Sequence, residues 1–481
     1  MGEAKRRAAL RSAEADGLGA RGLKAMSRER YNAFVGWTRS PLILSIGTEL
    51  EFFASAGESV IGVLIHDLID DDYSYVVLGR DEKSRFRCVD LNASIPSMDA
   101  ARSELLNALA KLTQDGKEAF PQGDAADDRA GVDLFTPVTN EQKWHPSFKI
   151  MQSNDQWSPA RGILAEMMHH FVDVDGNFVE QFQTTGFDAR LWELYLYAYM
   201  VEEGLYVERP DSAPDFSVSD GGQRVFVEAV TVGPTGNVAP VHQALPMFRS
   251  DEEIAKLLEG KIPIKFASAL HSKLTRRGKA PYWKLPHVEG HPLVFAIADF
   301  HENQSMTWTS SALIEYLYGA KSHFSYDADG QLIIGETKLE SHEFEGKKIP
   351  SGFFLQPDSE NISAVLFTSS GTISKFNRMG RLAGFGIEKM TLMRVGVCHD
   401  HDPNAALPKR FARQIEPGQC TETWAEGLSM FHNPNAAHPI DPGMFPSIAH
   451  HRLIDGQIRS LIPEFHPYSS LTINIKFTDE N

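Results

Sequence analysis

The chain has 481 residues, of which 42% are hydrophobic and 23% are charged, so it can build more than one buried core. Its net charge of −17 disfavours a protein that binds nucleic acid over its whole surface, although a local basic patch is enough to contact a phosphate backbone. Three cysteines are too few for a disulfide framework, and no run of about 18 apolar residues predicts a membrane span, so we expect a cytoplasmic protein.

The sequence of residues 1–150 predicts a β-rich N-terminal module. Residues 97–113 have apolar side chains on one helical face, and a polar stretch at 114–132 is typical of a surface linker. We therefore place the first domain boundary at residue 150. The predicted strands of this module are Val60–Ile65, Tyr73–Leu78 and Arg85–Val89.

The central part, residues 151–345, predicts a helix, three strands, a basic helix and a further buried strand, in that order. The remainder, residues 346–481, mixes strands such as Ala364–Phe367 with polar loops and predicts a C-terminal α/β extension. The predicted central elements are, in chain order, Phe187–Glu203, Leu205–Glu208, Asp215–Ser219, Arg224–Val232, 263–277 and Pro292–Phe300.

Glu193 lies on the first of these helices among apolar and aromatic side chains. Ala189, Leu196 and Tyr197 are one turn away from it, and a carboxylate on such a face loses its water. It then needs a metal ion or a partner such as Arg190. Both interpretations stay open for this residue taken alone.

Glu228 and Asp215 are two further acids in the segment that follows. Glu228 lies in a strand with two apolar faces, so its charge must be coordinated or paired with a buried cation. Asp215 follows Pro214 at the start of the preceding strand, where an acid also fits an ordinary turn. If the two strands pair as a hairpin, their carboxylates can converge with Glu193 on one hard cation that takes oxygen ligands.

This combination resembles the restriction-endonuclease-like PD-(D/E)XK nuclease superfamily over residues 180–300. A helix glutamate, the pair Pro-Asp, an acid in an apolar strand, a helix and a strand follow one another in the same order. The resemblance implies an α/β fold with a central mixed sheet flanked by helices. It also implies Mg²⁺ or Mn²⁺ as cofactor, held by Glu193, Asp215 and Glu228, and hydrolysis of phosphodiester bonds in DNA or, less often, RNA.

The family's lysine is missing, because Val230 stands two residues after Glu228. Lys265 and Lys273, on the following helix, are the candidates to supply the catalytic cation in its place. The alternative is that each belongs to a solvated basic face. Residues 256–290 hold eight Lys/Arg against two Asp/Glu, which is the best electrostatic footprint for a phosphate backbone in the chain.

The sequence thus predicts a metal-dependent endonuclease with DNA as the preferred partner, in defence or DNA maintenance by analogy alone. One alternative is a nuclease-fold scaffold or nucleic-acid-binding protein without catalysis, which the missing lysine favours. A second alternative is an α/β protein whose acids form buried ion pairs. No membrane partner is expected, and a homo-oligomer is left open.

Two other segments carry ligand-type side chains. Ser369–Arg378 follows the strand Ala364–Phe367 and offers small hydroxyls, a glycine and two cations, which suit phosphate contact. An ordinary polar loop is the favoured alternative, and the segment is not a Walker loop. Cys398–Asp402 contains metal-capable side chains, but adjacent ligands are poorly spaced for one tetrahedral zinc.

Overall fold

The structure of the chain is a computed structural model. It describes residues 17–123, 131–174, 176–210, 213–234 and 249–477. The predicted linker spans residues 114–132, and residues 124–130 of it lie outside the described residues. Among the described residues, no helix is long and apolar enough to cross a membrane.

The N-terminal residues form an antiparallel meander of five strands that pair in chain order. The helix Met98–Gln114 packs on this sheet at Gly62, where an added Cβ would meet Leu105 Cδ1 at 2.6 Å, so a larger residue would displace this leucine. The three strands and the helix predicted for this region are confirmed. The elements are β1 (Leu23–Ala25), α1 (Arg28–Val35), α2 (Pro41–Ile46), β2 (Gly47–Ser55), β3 (Val60–Asp67), β4 (Tyr73–Arg80), β5 (Phe86–Ile95) and α3 (Met98–Gln114).

The rest of the described chain contains an eight-stranded mixed sheet, a three-stranded sheet and two hairpins. Its helices are α4 (Pro146–Ser153), α5 (Ser158–Met168), α6 (Phe178–Gln183), α7 (Phe187–Glu202), α8 (Asp251–Lys256), α9 (Ile262–Thr275), α10 (Ser310–Tyr318) and α11 (Ile373–Leu382). Its strands are β6 (Tyr206–Glu208), β7 (Phe216–Ser219), β8 (Arg224–Val232), β9 (Leu293–Asp299), β10 (Ala320–Tyr326), β11 (Leu332–Lys338), β12 (Ser341–Phe344), β13 (Lys347–Pro350), β14 (Ala364–Thr368), β15 (Met390–Cys398), β16 (Lys409–Ile415), β17 (Leu428–His432), β18 (Ala449–Ile454), β19 (Gln457–Leu461) and β20 (Pro467–Lys476).

The eight strands of the large sheet lie in the order β19-β18-β17-β14-β9-β8-β7-β6. The pairs β8–β9 and β9–β14 are parallel, whereas β7–β8 and β14–β17 are antiparallel. The predicted order of helix, three strands, helix and strand is present as α7, β6 to β8, α9 and β9. The chain is therefore mixed α/β with a central mixed sheet, as predicted.

Helices cover both faces of this sheet because its strands are apolar on both sides. Val227 of β8 packs on one face in the core that includes α7, whereas Phe226 and Val230 pack on the other face with α9 and α10. The same alternation continues in β9, where Ala296 and Ile297 belong to opposite cores. A charged side chain on β8 is consequently enclosed between the sheet and a helix.

Both predicted domain boundaries need correction. The boundary at residue 150 falls inside α4, whose Phe148 and Met151 are buried in the core beside α7, so this helix belongs with the large sheet. The boundary at residue 345 does not separate two bodies either, since β14, β17, β18 and β19 complete the sheet that β6 to β9 begin. The described N-terminal strands form a sheet of their own, and none of them pairs with β8, as predicted.

Candidate functional site

Strand pairing brings Asp215 near Glu228. In the antiparallel pair β7–β8, Phe216 is opposite Val227, and Asp215 and Glu228 are the residues next to this pair. Side chains at opposed positions of an antiparallel pair lie on the same face of the sheet. Asp215 Oδ2 is fixed further by the backbone N–H of Ala229, which donates to it at 2.8 Å. The two carboxylates therefore belong to one site.

Glu228 is 4% exposed, and its two carboxylate oxygens have different surroundings. Oε1 accepts hydrogen bonds from Lys273 Nζ at 2.5 Å and from the Tyr282 hydroxyl at 2.6 Å. Oε2 is buried and has no hydrogen-bond partner among the described residues. A buried oxygen without a donor is costly. Beside a second carboxylate, it marks a place where a cation would be stabilised.

The electrostatics of Asp215 agree with this geometry. Burial, and then the negative charges of Glu228 and Glu193, raise the pKa of Asp215 to about 7. The hydrogen bond from Ala229 and the charge of Lys273 oppose this increase without cancelling it. The site therefore holds more negative charge than its own lysine neutralises.

Glu193 is held by two arginines, which corrects the prediction that it is the third metal ligand. Its Oε1 accepts from Arg190 Nη1 at 2.8 Å, and its Oε2 accepts from Arg209 Nη2 at 2.8 Å. Among the described residues, no three His, Cys, Asp or Glu side chains form a group that could hold a metal ion. The three-carboxylate cluster is therefore not formed. Glu193 has instead the ion-pair role that was its alternative, since two guanidinium groups already compensate its charge.

We expect Glu193→Gln to lower the free energy of unfolding by about 3 kcal/mol, because it leaves two largely buried arginines without their counter-ion. It should leave metal binding unchanged if Glu193 is not a ligand. Urea denaturation measures the first effect, and the increase in melting temperature on adding Mn²⁺ measures the second. Loss of the Mn²⁺-dependent increase in this variant would contradict the correction.

The two candidate lysines have different positions. Lys273 contacts Glu228 directly, so a lysine from α9 does reach the acidic strand. Lys265 lies two turns earlier, roughly 12 Å away along the helix. Burial lowers the pKa of Lys265, and the opposing charges are those of Asp299 and Glu302, near the end of β9. The structure thus brings Lys273 to the site and places Lys265 elsewhere.

Tyr282 is a site residue that the sequence did not reveal. Its hydroxyl donates to Glu228, and the guanidinium of Arg276 lies 4.0 Å from the centre of its ring. No local pattern could have indicated this contact, because 54 residues separate Tyr282 from Glu228. Val230, where the family's lysine would stand, is 2% exposed and packs in the core under α9. An apolar residue is what that position requires here.

The less favoured zinc site at Cys398–Asp402 is not formed among the described residues. His399 Nδ1 is 2.9 Å from the Tyr468 hydroxyl, and His401 Nε2 is 3.1 Å from the carbonyl oxygen of Glu464. These rings take part in ordinary hydrogen bonds, which accounts for their polar character without a metal.

No family model matches the chain, and neither a curated protein nor a solved structure matches it. The resemblance to PD-(D/E)XK nucleases accordingly rests on the order of the elements and on the side chains of Asp215, Glu228 and Lys273.

Proposed function

We propose that the chain is a metal-dependent nuclease that hydrolyses phosphodiester bonds, with DNA favoured over RNA as substrate. One observation carries the proposal. Glu228 has a buried, unpaired Oε2 near Asp215, while its other oxygen is held by Lys273 and Tyr282. Two acids and one lysine on adjacent elements are the groups that such a hydrolysis requires.

Asp215 and Glu228 are the residues that would hold the metal. Mg²⁺ is typically bound by one or two protein carboxylates, with water and substrate phosphate completing its coordination. Two acids are therefore sufficient, and the unpaired Oε2 together with the raised pKa of Asp215 fits a cation at this place. When bound, Mg²⁺ or Mn²⁺ would polarise a phosphoryl oxygen and lower the pKa of a bound water.

The remaining side chains orient these groups and compensate charge. The Tyr282 hydroxyl and the Lys273 ammonium together hold Glu228 Oε1, so that its free oxygen keeps one orientation. The same ammonium can also donate to a phosphate oxygen, where negative charge increases in the transition state. Lys273 thereby takes over the part of the lysine that Val230 cannot supply.

The surroundings of the site suit a polyanionic substrate. Arg277 and Lys279 are exposed and lie in the chain between Lys273 and Tyr282, and the exposed Lys284 follows Tyr282. They belong to the basic segment 256–290, so a phosphate backbone near the acids would meet positive charge in spite of the net charge of −17.

The proposal predicts that Lys273→Ala lowers the cleavage rate by about 10²–10³-fold, because a positioned cation is lost from the developing charge. Lys265→Ala serves as the matched control on the same helix and should change the rate less than about threefold, since its side chain lies elsewhere. Plasmid DNA and a structured RNA are incubated with each purified variant and Mg²⁺ or Mn²⁺, and the products are separated on gels.

Two results would contradict the proposed nuclease activity. One is that the folded wild type cleaves neither polymer with either metal, and the other is that any cleavage survives both Asp215→Asn and Glu228→Gln. If the wild type binds DNA without cleaving it, the scaffold alternative takes its place.

A further inference from the structure

A second cavity, of about 430 Å³, lies at the carboxyl ends of the parallel strands β9 and β14. It is bordered by the first residues of α7 and α11 and by the strand β20. Neither Asp215 nor Glu228 lines it, so it is separate from the proposed nuclease site. Its volume is in the range of cavities that hold small ligands, roughly 300–1,000 Å³.

One end of the cavity is acidic. Asp299 is 1% exposed, and its Oδ1 is 2.7 Å from His301 Nδ1, whereas its Oδ2 has no hydrogen-bond partner among the described residues. Asp188, in the first turn of α7, also lines the cavity, and burial alone raises its pKa to about 7. The buried Oδ2 of Asp299, together with the carboxylate of Asp188, favours a ligand that brings its own hydroxyl or amino groups.

The other end is formed by the loop after β14 and the start of α11. The side chain of Thr372, the N-cap residue of α11, makes no capping hydrogen bond, so N–H groups at the start of this helix lack that partner. Thr372 and Ser374 line the cavity, and so does Ser370, which is 5% exposed and has an Oγ without a hydrogen-bond partner. A helix N-terminus with surrounding hydroxyls is favourable for an anion such as phosphate.

The two ends of the cavity favour different chemical groups of a ligand, and one class of ligand carries both groups. A free inorganic anion would meet the acids Asp188 and Asp299, and a metal ion at these acids would leave the hydroxyl groups at the other end of the cavity unused. An apolar ligand would leave Oδ2 of Asp299 without a donor. A sugar carries vicinal hydroxyls that donate to carboxylates, and a phosphate on the same sugar accepts from a helix N-terminus.

We infer that this cavity binds a phosphorylated sugar, with its hydroxyl groups on Asp188 and Asp299 and its phosphate at the N-terminus of α11. The rings of Trp157 and Phe187 line the same cavity and offer apolar surface for the sugar or for an attached base. Free sugar phosphates and nucleotides share this chemistry. The inference goes beyond the proposed nuclease and does not depend on it.

Isothermal titration calorimetry on the full chain tests the inference with ribose 5-phosphate, AMP, ribose and inorganic phosphate. Ribose 5-phosphate should bind, and ribose and phosphate alone should each bind at least about tenfold more weakly, because each reaches one end of the cavity. AMP that binds more tightly than ribose 5-phosphate would identify a nucleotide site, and equal affinities would identify a sugar-phosphate site.

Two variants locate the binding. Asp188→Ala and Ser374→Ala should each weaken the binding of ribose 5-phosphate at least about tenfold. Asp215→Asn is the control, because it changes the other site and should leave this affinity unchanged. Asp188→Ala removes an unpartnered carboxylate, so the variant should fold.

The inference is overturned if none of the probes binds the folded wild type at about 10 mM. It is also overturned if phosphate alone binds as well as ribose 5-phosphate, or if both cavity variants keep the affinity of the wild type.

Discussion

Asp215→Asn is expected to stabilise the fold at pH 8 and to abolish cleavage at the same time. Burial and the charges of Glu228 and Glu193 raise the pKa of Asp215 to about 7, so the folded chain holds this proton more tightly than the unfolded chain. Asparagine removes the unfavourable charge, and its side-chain oxygen can still accept the hydrogen bond from Ala229. Cleavage should fall at least about 10³-fold, because the metal loses a ligand.

The sign of the pH dependence follows from the direction of this pKa shift. The raised pKa of Asp215 leaves the free energy of unfolding unchanged below pH 3.8, the ordinary pKa of the group. The full loss of stability is present above about pH 7. The cost at alkaline pH is on the order of 2–4 kcal/mol. Urea denaturation without added metal should therefore show a gain for Asp215→Asn at pH 8 that shrinks at pH 5.

Asp329→Asn is the control, since Asp329 is exposed and its removal should change neither stability nor cleavage measurably. If Asp215→Asn is less stable than the wild type at pH 8, the carboxylate is satisfied in the folded chain. Such a carboxylate would not require a cation beside it.

Glu422→Gln is expected to cause the largest loss of stability of any single charge removal considered for this chain. Burial alone would raise the pKa of Glu422, but the charges of Arg378, Lys375 and Arg394 outweigh it and hold the pKa well below its ordinary value. Lys375 is 0% exposed and Arg394 is 1% exposed. Removing their shared partner leaves buried positive charge behind, which costs about 3–5 kcal/mol.

The matched control is Glu208→Gln, which removes the partner of Arg224 in an exposed ion pair. It should cost no more than about 0.5 kcal/mol, because solvent screens such pairs. Chemical denaturation of both variants at pH 7 measures the difference. Equal effects of the two substitutions would show that the buried network contributes no more than a surface pair.

The periodicity of the sequence was sufficient to predict the central elements. Phe187–Glu203 is apolar around most of its circumference, and Arg224–Val232 has two apolar faces, so a buried helix and a central strand follow from the residues alone. The burial of Glu228 followed from the same pattern. Lys273 could be proposed because it lies on the helix that follows the acidic strand.

The partners of the acids could not be predicted, since they depend on contacts between distant segments. Arg209 reaches Glu193 from the end of β6, and Tyr282 reaches Glu228 from beyond α9. Neither residue belongs to a periodic pattern. The continuation of the large sheet into β14 and β17 was missed for the same reason, because local periodicity predicts a strand without its neighbour.

The strand order of the large sheet also determines when it can form during synthesis. Its strands are taken from residues 206 to 461, and β9 is flanked by β8 and by β14, which leaves the ribosome much later. The five strands of the N-terminal meander pair with their neighbours in sequence, so that this part can fold while translation continues. The apolar strand β8 ends at residue 232, and its parallel neighbour β9 begins 61 residues later. It is in this interval that aggregation or chaperone binding competes with folding.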